Sequence, residues 1–255
     1  MERLERRMYG AKDGVYMAGE DCSGLLPDEV RSTIEEMALK YQKLPREPAI
    51  DKENGEIIPE ESGYIIDVER SISRVFDASK NEKLKISKIT IRPEYSSSDL
   101  KAAKKSLAYY ESWISGRQER LVNINLAAAA INNTLLWPDK SFSFNEVVGP
   151  RTPERGYLPA PVILLGGNGL DYGGGICQVA STLYNAAEQA GLEIIEHHSH
   201  SKPVYYVPEG KDATVNYDDL DLKFSNNMQG PLIIKSAVNG SRIWVEIMGE
   251  EEKSE

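Results

Sequence analysis

The stretch GGGICQVASTLYNAAEQAG, residues 173–191, predicts a helix with a cysteine at its start. The apolar residues after Cys177 recur at helical spacing, and Gly191 is a natural residue to follow the helix end. At a helix start, unpaired N–H groups and the helix dipole favour a thiolate over a thiol. The stretch therefore indicates either a reactive nucleophile or a small buried hydrophobe, which is a common role of a free cysteine.

The glycines before Cys177 add to the nucleophile interpretation. Glycine lets a substrate backbone approach closely, and a turn of this kind leaves amide N–H groups free to hold an oxyanion. We expect Gly175 to contribute to catalysis in this way, although Gly-rich turns before helices are also common in ordinary structure. The residues of this segment expected to contact substrate are Gly173, Gly174, Gln178 and Ser181.

The histidines of the chain all fall in EIIEHHSHSKPVYYVP, residues 193–208. The run that contains them is predicted as a strand, so His198 and His200 would share one face and His197 would lie on the other. A cysteine nucleophile needs a base that takes its proton and returns it to the leaving group. The pattern predicts that His198 and His200 can both face the thiolate and leaves open which of them is the base, and the alternative is a polar strand end that faces solvent.

Two further groups complete the candidate site. Asp212, in EGKDATVNY, is our choice for the residue that orients the base. Arg151 and Arg155, in GPRTPERG, have guanidinium forks that suit carboxylates, so they predict that an acidic peptide is held here. A solvated loop is an equally good interpretation of each arginine taken alone.

Zinc binding is an alternative interpretation of the same residues. Cys177, His198, His200 and Asp212 all carry side chains that bind zinc. The sequence lacks the closely spaced ligand pairs that are typical of zinc sites, so we rank a metal site below a nucleophile. No cofactor is expected.

Composition limits the class of protein. The chain has 255 residues and a net charge of −10 without a basic block, which argues against nucleic acid as a partner. Cys22 and Cys177 lack CxxC spacing, so no disulfide framework is indicated, although one bridge between them stays open. No apolar run near the N-terminus is long enough for a signal peptide core or a membrane span.

The order of predicted elements indicates an α+β protein of two parts. Helices over PDEVRSTIEEMALKYQ and VERSISRVFDA, the second capped by Asp67, and a strand over KLKISKITIRP form a small α+β domain in residues 1–100. Residues 101–119 are predicted to connect it to a mixed α/β domain over residues 120–248. That domain opens with RQERLVNINLAAAAINNTLL, predicted as a helix whose pattern Pro138 stops, and KSFSFNEVVG and several later runs are predicted as short strands. The acidic residues 249–255 are expected to be a disordered tail.

The second domain resembles a known family. The segments RLVNINLAAAAINNTLLWPDKSFSFNEVVGPRTPERGYLPAPVI and GGGICQVASTLYNAAEQAGLEIIEHHSHSKPVYYVPEGKDATV, followed by LDLKFSNN, are similar to the VanW-like domain of Gram-positive bacteria. That family takes its name from an accessory protein of vancomycin-resistance clusters. The segment AIDKENGEIIPEESGYIIDVERSISRVFDASKNEKLKISKITIRPEYSSSDL resembles, more weakly, a peptidoglycan-binding domain that often precedes VanW-like domains.

The resemblance implies a function in the cell envelope. Some VanW-like members act as L,D-transpeptidases, which form 3-3 crosslinks between peptidoglycan stem peptides through a cysteine nucleophile. The matching cysteine is Cys177, and His198 and His200 fit the family pattern. The implied partners are stem peptides and, through the first domain, glycan strands. With water as acceptor the enzyme would be an L,D-carboxypeptidase, and a non-catalytic wall-binding accessory protein is the alternative.

The resemblance also implies a location outside the cytoplasm. Many members carry an N-terminal membrane anchor, and none is visible in this sequence. A removed anchor or a cytoplasmic location would account for that equally.

Overall fold

The computed structural model of the protein describes residues 2–164 and 167–250. These residues form two compact units of mixed helices and short strands, which confirms the predicted α+β class. Unit 1 comprises the chain up to Pro48 together with Pro59–Ser96. Unit 2 comprises Ala49–Ile58 together with the chain from Ser97 onward.

Unit 1 packs its helices and small sheets around one apolar core. Its helices are α1 (Glu2–Tyr9), α2 (Pro27–Tyr41) and α3 (Val68–Asp77), and its strands are β1 (Tyr16–Met17), β2 (Glu20–Asp21), β5 (Gly63–Ile66), β6 (Lys83–Leu84) and β7 (Lys88–Ile91). Strand β1 pairs with β2 in antiparallel and with β6 in parallel orientation, and β5 pairs with β7. The two strands β3 (Ala49–Ile50) and β4 (Ile57–Ile58) lie between these elements in the chain but belong to unit 2.

Both helices predicted for unit 1 are present. Helix α2 buries Val30, Ile34 and Met37 on one face, as the spacing predicts. Helix α3 follows Asp67, whose side chain accepts a hydrogen bond of 3.0 Å from Arg70 N and so caps the helix. Cys22 lies fully buried in the same core and is not bonded to another cysteine.

Unit 2 is larger and carries the candidate site. Its helices are α4 (Ser97–Ala102), α5 (Gln118–Ile131), α6 (Phe144–Val148) and α7 (Ile176–Gln189), with a 3-10 turn over Pro153–Arg155. Besides β3 and β4, its strands are β8 (Lys105–Trp113), β9 (Thr134–Leu136), β10 (Ser141–Ser143), β11 (Pro159–Leu164), β12 (Gly167–Tyr172), β13 (Glu193–Glu196), β14 (Lys223–Ser225), β15 (Leu232–Asn239) and β16 (Arg242–Gly249).

The strands of unit 2 form one principal sheet and three smaller ones. The principal sheet is antiparallel, in the order β8-β16-β15-β9, and a three-stranded sheet has the order β10-β14-β13. The pairs β3-β4 and β11-β12 form hairpins. Helices α5 and α7 pack against each other and against the principal sheet, where α5 contacts β15 and α7 contacts β8 and β16.

The predicted connection over residues 101–119 needs correction. It contains β8, which pairs with β16 from Lys105–Gly249 to Trp113–Arg242 and is a full strand of the principal sheet. Ala49–Ile58, predicted in the first domain, also groups with unit 2. Both segments lie next to residues of unit 1 in the sequence. They belong to unit 2 because they pair with or contact residues far away in the chain.

Two smaller predictions also change. KSFSFNEVVG is a strand only over Ser141–Ser143, because the Ser143 side chain then accepts a hydrogen bond of 3.1 Å from Glu146 N and starts helix α6. Of the predicted acidic tail, Gly249 ends β16, and residues 251–255 lie outside the described residues. Across the described ranges, no helix combines the length and the apolar character that crossing a membrane requires.

Candidate active site

Helix α7 fixes the position of Cys177. The residue before the helix, Gly175, has φ +111°, and a side chain there would lie 2.9 Å from Arg120 Cγ and 3.0 Å from Ile124 Cγ1. Only glycine suits this position. Cys177 is therefore held in the first turn of the helix, partly exposed to solvent, while most side chains that follow it are buried.

Cys177, His200 and Asp212 form a hydrogen-bonded chain. A side-chain hydrogen bond links Cys177 to His200. His200 Nδ1 lies 2.6 Å from Asp212 Oδ2, and His200 N donates to the same oxygen at 2.7 Å. Because Asp212 occupies Nδ1, the ring nitrogen that faces the thiol is Nε2. The His200 and Asp212 side chains are only 8% and 11% exposed, so this arrangement is largely shielded from water.

The electrostatics of this chain favour a thiolate and an imidazolium. Burial alone would raise the pKa of the Cys177 thiol, but the hydrogen bond and charge of His200 outweigh it and lower that pKa. Burial would likewise lower the pKa of His200, whereas its contacts with Cys177 and then with Asp212 raise it. The pKa of Asp212 is lowered, since hydrogen bonds and charge from His200 exceed the effect of burial.

Ser181 ties the Asp212 segment to helix α7. Its hydroxyl donates to Cys177 O at 2.7 Å, one turn back in the helix, and accepts from Ala213 N at 2.7 Å. Asn185, one turn further along, donates to Lys211 O at 2.7 Å. The predicted role of Ser181 as a substrate contact is therefore not what its geometry indicates. It is fully buried and positions the residue that orients His200.

His198 does not join Cys177. Strand β13 ends at Glu196, so side-chain alternation cannot be carried on to the histidines. His198 Nε2 lies 3.0 Å from Glu196 Oε1, with the His198 side chain 38% exposed. His197 stacks on Tyr184 with 4.1 Å between ring centroids and is bonded through Nε2 to Asp212 O. Of the two histidines predicted to face the thiolate, the structure pairs His200 with Cys177 and His198 with Glu196.

Gln178 is a structural contact. Its amide donates to Ser112 Oγ at 3.0 Å and to Trp113 O at 2.8 Å, and its carbonyl accepts from Arg120 Nη2 at 2.7 Å. The side chain is fully buried and joins α7 to β8, which leaves no room for the substrate contact that we predicted.

Gly173 and Gly174 are glycines because protein atoms crowd them. A side chain on Gly173 would lie 2.9 Å from Arg151 Cγ, and one on Gly174 would lie 2.6 Å from Ala160 O. Asn123, which the sequence did not single out, donates to Gly174 O at 3.0 Å and fixes the turn. Close packing within the protein thus accounts for these two glycines without a substrate.

The amides of the turn differ in whether they have an acceptor among the described residues. Ile176 N donates to Gly173 O, and Gln178 N donates to Gly175 O, each at 3.0 Å. Cys177 N lies in the first turn of α7, where helical amides lack an acceptor within the helix, and no residue in the described ranges accepts from it. An amide without an acceptor at this position can donate to an oxyanion.

The arginines differ in their relation to the site. Arg151 is half-buried, donates from Nη2 to Asn145 Oδ1 at 2.7 Å, and has its guanidinium carbon 5.7 Å from the centroid of the Tyr217 ring. Its charge helps to lower the pKa of Cys177. Arg155 is exposed and lies against Gly149. The structure brings Arg151, and not Arg155, to the nucleophile.

Tyr206 is a site residue that sequence reasoning missed. Its ring meets His200 edge-on at 6.5 Å between centroids, and its hydroxyl bonds to Ser181. Burial raises the pKa of Tyr206, so the phenol stays neutral. The only signal in the sequence is its closeness to the histidines, in PVYYVP.

The arrangement of these side chains does not support a zinc site. Over residues 2–164 and 167–250, no group of three or more His, Cys, Asp or Glu residues is placed to hold a metal ion. His198, one of the predicted ligands, bonds instead to Glu196.

Comparisons with known proteins identify relatives of the chain. The family model described as "VanW like protein" matches residues 119–248. "Uncharacterized protein YoaR" of Bacillus subtilis (strain 168) is 38% identical over 202 residues, which are 76% of this chain and 67% of that protein. "Vancomycin B-type resistance protein VanW" of Enterococcus faecalis (strain ATCC 700802 / V583) is 28% identical over 116 residues, 44% of this chain and 42% of that protein. No solved structure matches the chain.

Proposed function

The chain belongs to the VanW-like protein family, and from this membership and its site we propose that it is a cysteine acyltransferase of peptidoglycan stem peptides. Its reaction would be L,D-transpeptidation, which forms 3-3 crosslinks. The observation that carries the proposal is the hydrogen-bonded chain Cys177, His200 and Asp212 at the start of helix α7. The arrangement is that of a nucleophile, a base and a residue that orients the base.

The first half of the reaction would release D-Ala. The Cys177 thiolate attacks the carbonyl between the third residue of a tetrapeptide stem and its terminal D-Ala. The Cys177 amide donates a hydrogen bond to the oxyanion. His200, protonated at Nε2, gives its proton to the leaving amine as the C–N bond breaks. A thioester on Cys177 and free D-Ala result, and Asp212 keeps Nδ1 protonated throughout.

The second half would form the crosslink. The side-chain amine of a neighbouring stem attacks the thioester, and neutral His200 takes one of its protons. Collapse of the intermediate forms an amide and returns the thiolate, with His200 again protonated. Water in place of the amine would give a shortened stem and no crosslink, so the acceptor alone separates transpeptidase from carboxypeptidase.

The relatives support the cellular setting of this proposal. One bears the name of a vancomycin resistance protein, which suits work on the cell wall and hence a place in the cell envelope. The family model matches residues 119–248 only, so the resemblance of the first hundred residues to a peptidoglycan-binding domain stays a prediction.

Intact-protein mass spectrometry with a purified disaccharide tetrapeptide tests the proposal. We expect a mass increase equal to the muropeptide minus D-Ala in the wild type, and no increase in Cys177→Ala. Cys22→Ala is the matched control, since Cys22 is fully buried in unit 1, and it should form the same adduct. Binding of the muropeptide without adduct, crosslinked product or released D-Ala would indicate the non-catalytic wall-binding alternative and contradict the enzyme.

A further inference from the structure

Arg151 presents an unpaired guanidinium nitrogen within the candidate site. Its Nη1 is buried and has no hydrogen-bond partner among the residues that the structure describes, while Nη2 donates to Asn145 Oδ1 at 2.7 Å. The guanidinium carbon lies 5.8 Å from the centroid of the Phe144 ring and 5.7 Å from that of Tyr217. These contacts hold the planar group in place, and a buried donor without an acceptor is uncommon and costly. Nη1 is therefore prepared for an acceptor that arrives with a ligand.

The charge of Arg151 is not neutralised by its surroundings. None of the described carboxylates forms an ion pair with it. Asp221 is close enough to act on Arg151 by its charge, but its carboxylate already accepts from Ser143 Oγ, Asn145 N and Leu222 N. A half-buried guanidinium that forms no ion pair with a described carboxylate favours an anionic ligand, and its fork favours a planar oxyanion such as a carboxylate.

Arg151 also lies beside the nucleophile. The β and γ carbons of its side chain are 3.0 Å and 2.9 Å from the position that a side chain on Gly173 would take, so it runs along the turn that leads into Cys177. We infer that Arg151 binds the free terminal carboxylate of the peptide that Cys177 attacks. The identity of that peptide rests on the proposed function, whereas the carboxylate site rests on Arg151 itself.

The inference gives the site a rule of specificity. In a tetrapeptide stem the terminal carboxylate lies one residue beyond the attacked carbonyl, about 3.5 Å along an extended chain. A bond inside a longer peptide offers a neutral amide at that place and would leave the Arg151 charge unpaired. A site built to pair a charge rejects ligands that lack it. Cys177 would thus act on the last peptide bond of a chain with a free carboxyl end.

Alkylation of Cys177 tests the carboxylate site without a peptide. Iodoacetate and iodoacetamide have the same shape, and only iodoacetate carries a carboxylate. We expect the ratio of their rates at Cys177 to exceed the ratio measured for glutathione in the same buffer by at least about tenfold. Arg151→Gln should return the ratio to that of glutathione. An unchanged ratio in Arg151→Gln, or a wild-type ratio equal to that of glutathione, overturns the inference.

Two controls keep this test decisive. Arg155→Gln removes an exposed arginine from the same loop and should leave the ratio as in the wild type. If Arg151→Gln does not fold, acetate and acetamide can be compared as protecting agents of the wild type against iodoacetamide. Saturable protection by acetate alone supports the site, and equal or absent protection contradicts it.

A peptide comparison separates this inference from the proposed function. Tetrapeptide stems with a terminal carboxylate and with a terminal amide are offered to the wild type and to Arg151→Gln. The inference is supported if the wild type reacts only with the stem that ends in a carboxylate and Arg151→Gln reacts slowly with both stems. Equal use of both stems by the wild type refutes the carboxylate site and leaves acyl transfer standing. An Arg151-dependent preference for iodoacetate without reaction of either stem supports the site and refutes the proposed function.

Discussion

The reactivity of Cys177 depends most on one neighbouring side chain, His200, with a smaller contribution from the charge of Arg151. The sulfur is shielded by the fold, and shielding alone opposes a thiolate. The hydrogen bond and charge of His200 reverse that effect, and Asp212 holds His200 in the required orientation through a contact of 2.6 Å. At the scale of the residue, therefore, the helix start provides the position and the histidine provides the charge state.

His200→Ala should raise the pKa of Cys177. Without the imidazole, the largest contributions that oppose burial are lost, so the pKa of the thiol rises. The rate of reaction with iodoacetamide, measured between pH 5 and pH 10, reports the thiolate. Its inflection should move to higher pH, and the rate at pH 7 should fall about tenfold for each unit of the shift.

His198→Ala is the matched control for that measurement. His198 is bonded to Glu196 and is not among the groups that act on the Cys177 thiol. The rate of reaction of the His198→Ala variant with iodoacetamide should therefore depend on pH as the wild-type rate does. If His198→Ala moved the inflection further than His200→Ala, His198 and not His200 would be the base.

At the scale of the element, helix α7 organises the whole site. One end carries Cys177, and successive turns hold the loop around Asp212 through Ser181 and Asn185. Gln178, on the side that meets β8, fixes the helix to the principal sheet. The distance between nucleophile and base is thus set by hydrogen bonds from a single helix, which is a rigid support.

Ser181→Ala should weaken both stability and reactivity. The variant leaves the buried Ala213 amide without its acceptor, which costs about 1–3 kcal/mol of the free energy of unfolding. It also frees the segment that holds Asp212, so the thiolate fraction of Cys177 at pH 7 should fall. Urea denaturation and iodoacetamide kinetics measure the two effects.

Ser225→Ala is the control for this change. Ser225 donates to Glu193 Oε2 at the surface, so its loss should change the free energy of unfolding by no more than about 0.5 kcal/mol. If Ser181→Ala and Ser225→Ala lowered the free energy of unfolding by the same small amount, Ser181 would not anchor the Asp212 segment.

At the scale of the whole molecule, unit 2 is larger than the family match. The matched residues begin at 119, so the match leaves out strand β8, which pairs with β16 along its length. The hairpin of β3 and β4 precedes the match as well, and Lys52 within it donates to Ala130 O and Asn132 O at the end of α5. A cation at this end of a helix satisfies free carbonyls and opposes the helix dipole.

Fragments of the chain should show this dependence. A fragment of residues 119–250 lacks β8 and leaves β16 with one edge unpaired, so we expect it to show no cooperative thermal unfolding. A fragment of residues 97–250 retains β8 and should unfold cooperatively, at a lower temperature than unit 2 in the full chain, since it lacks the hairpin. Equal midpoints for the two fragments, measured by circular dichroism, would show that β8 is dispensable.

The amino-acid sequence by itself determined the local features of this protein. The helix that begins near Cys177, its end before Gly191 and the cap at Asp67 follow from spacing and from residue type, which act within a few positions. Cys177, His200 and Asp212 were all named from the sequence as candidate site residues. The α+β class followed from the order of such elements.

Only the tertiary structure decided which candidates meet. His200 reaches Cys177 and His198 does not, because β13 ends at Glu196 and alternation applies only while a strand continues. Gln178 and Ser181 turned out to face the protein because contacts with β8 and with the Asp212 loop join distant parts of the chain. The unpaired nitrogen of Arg151 is a property of its surroundings, since the same arginine in an open loop would be solvated. Long-range packing decides these points, and no local pattern contains it.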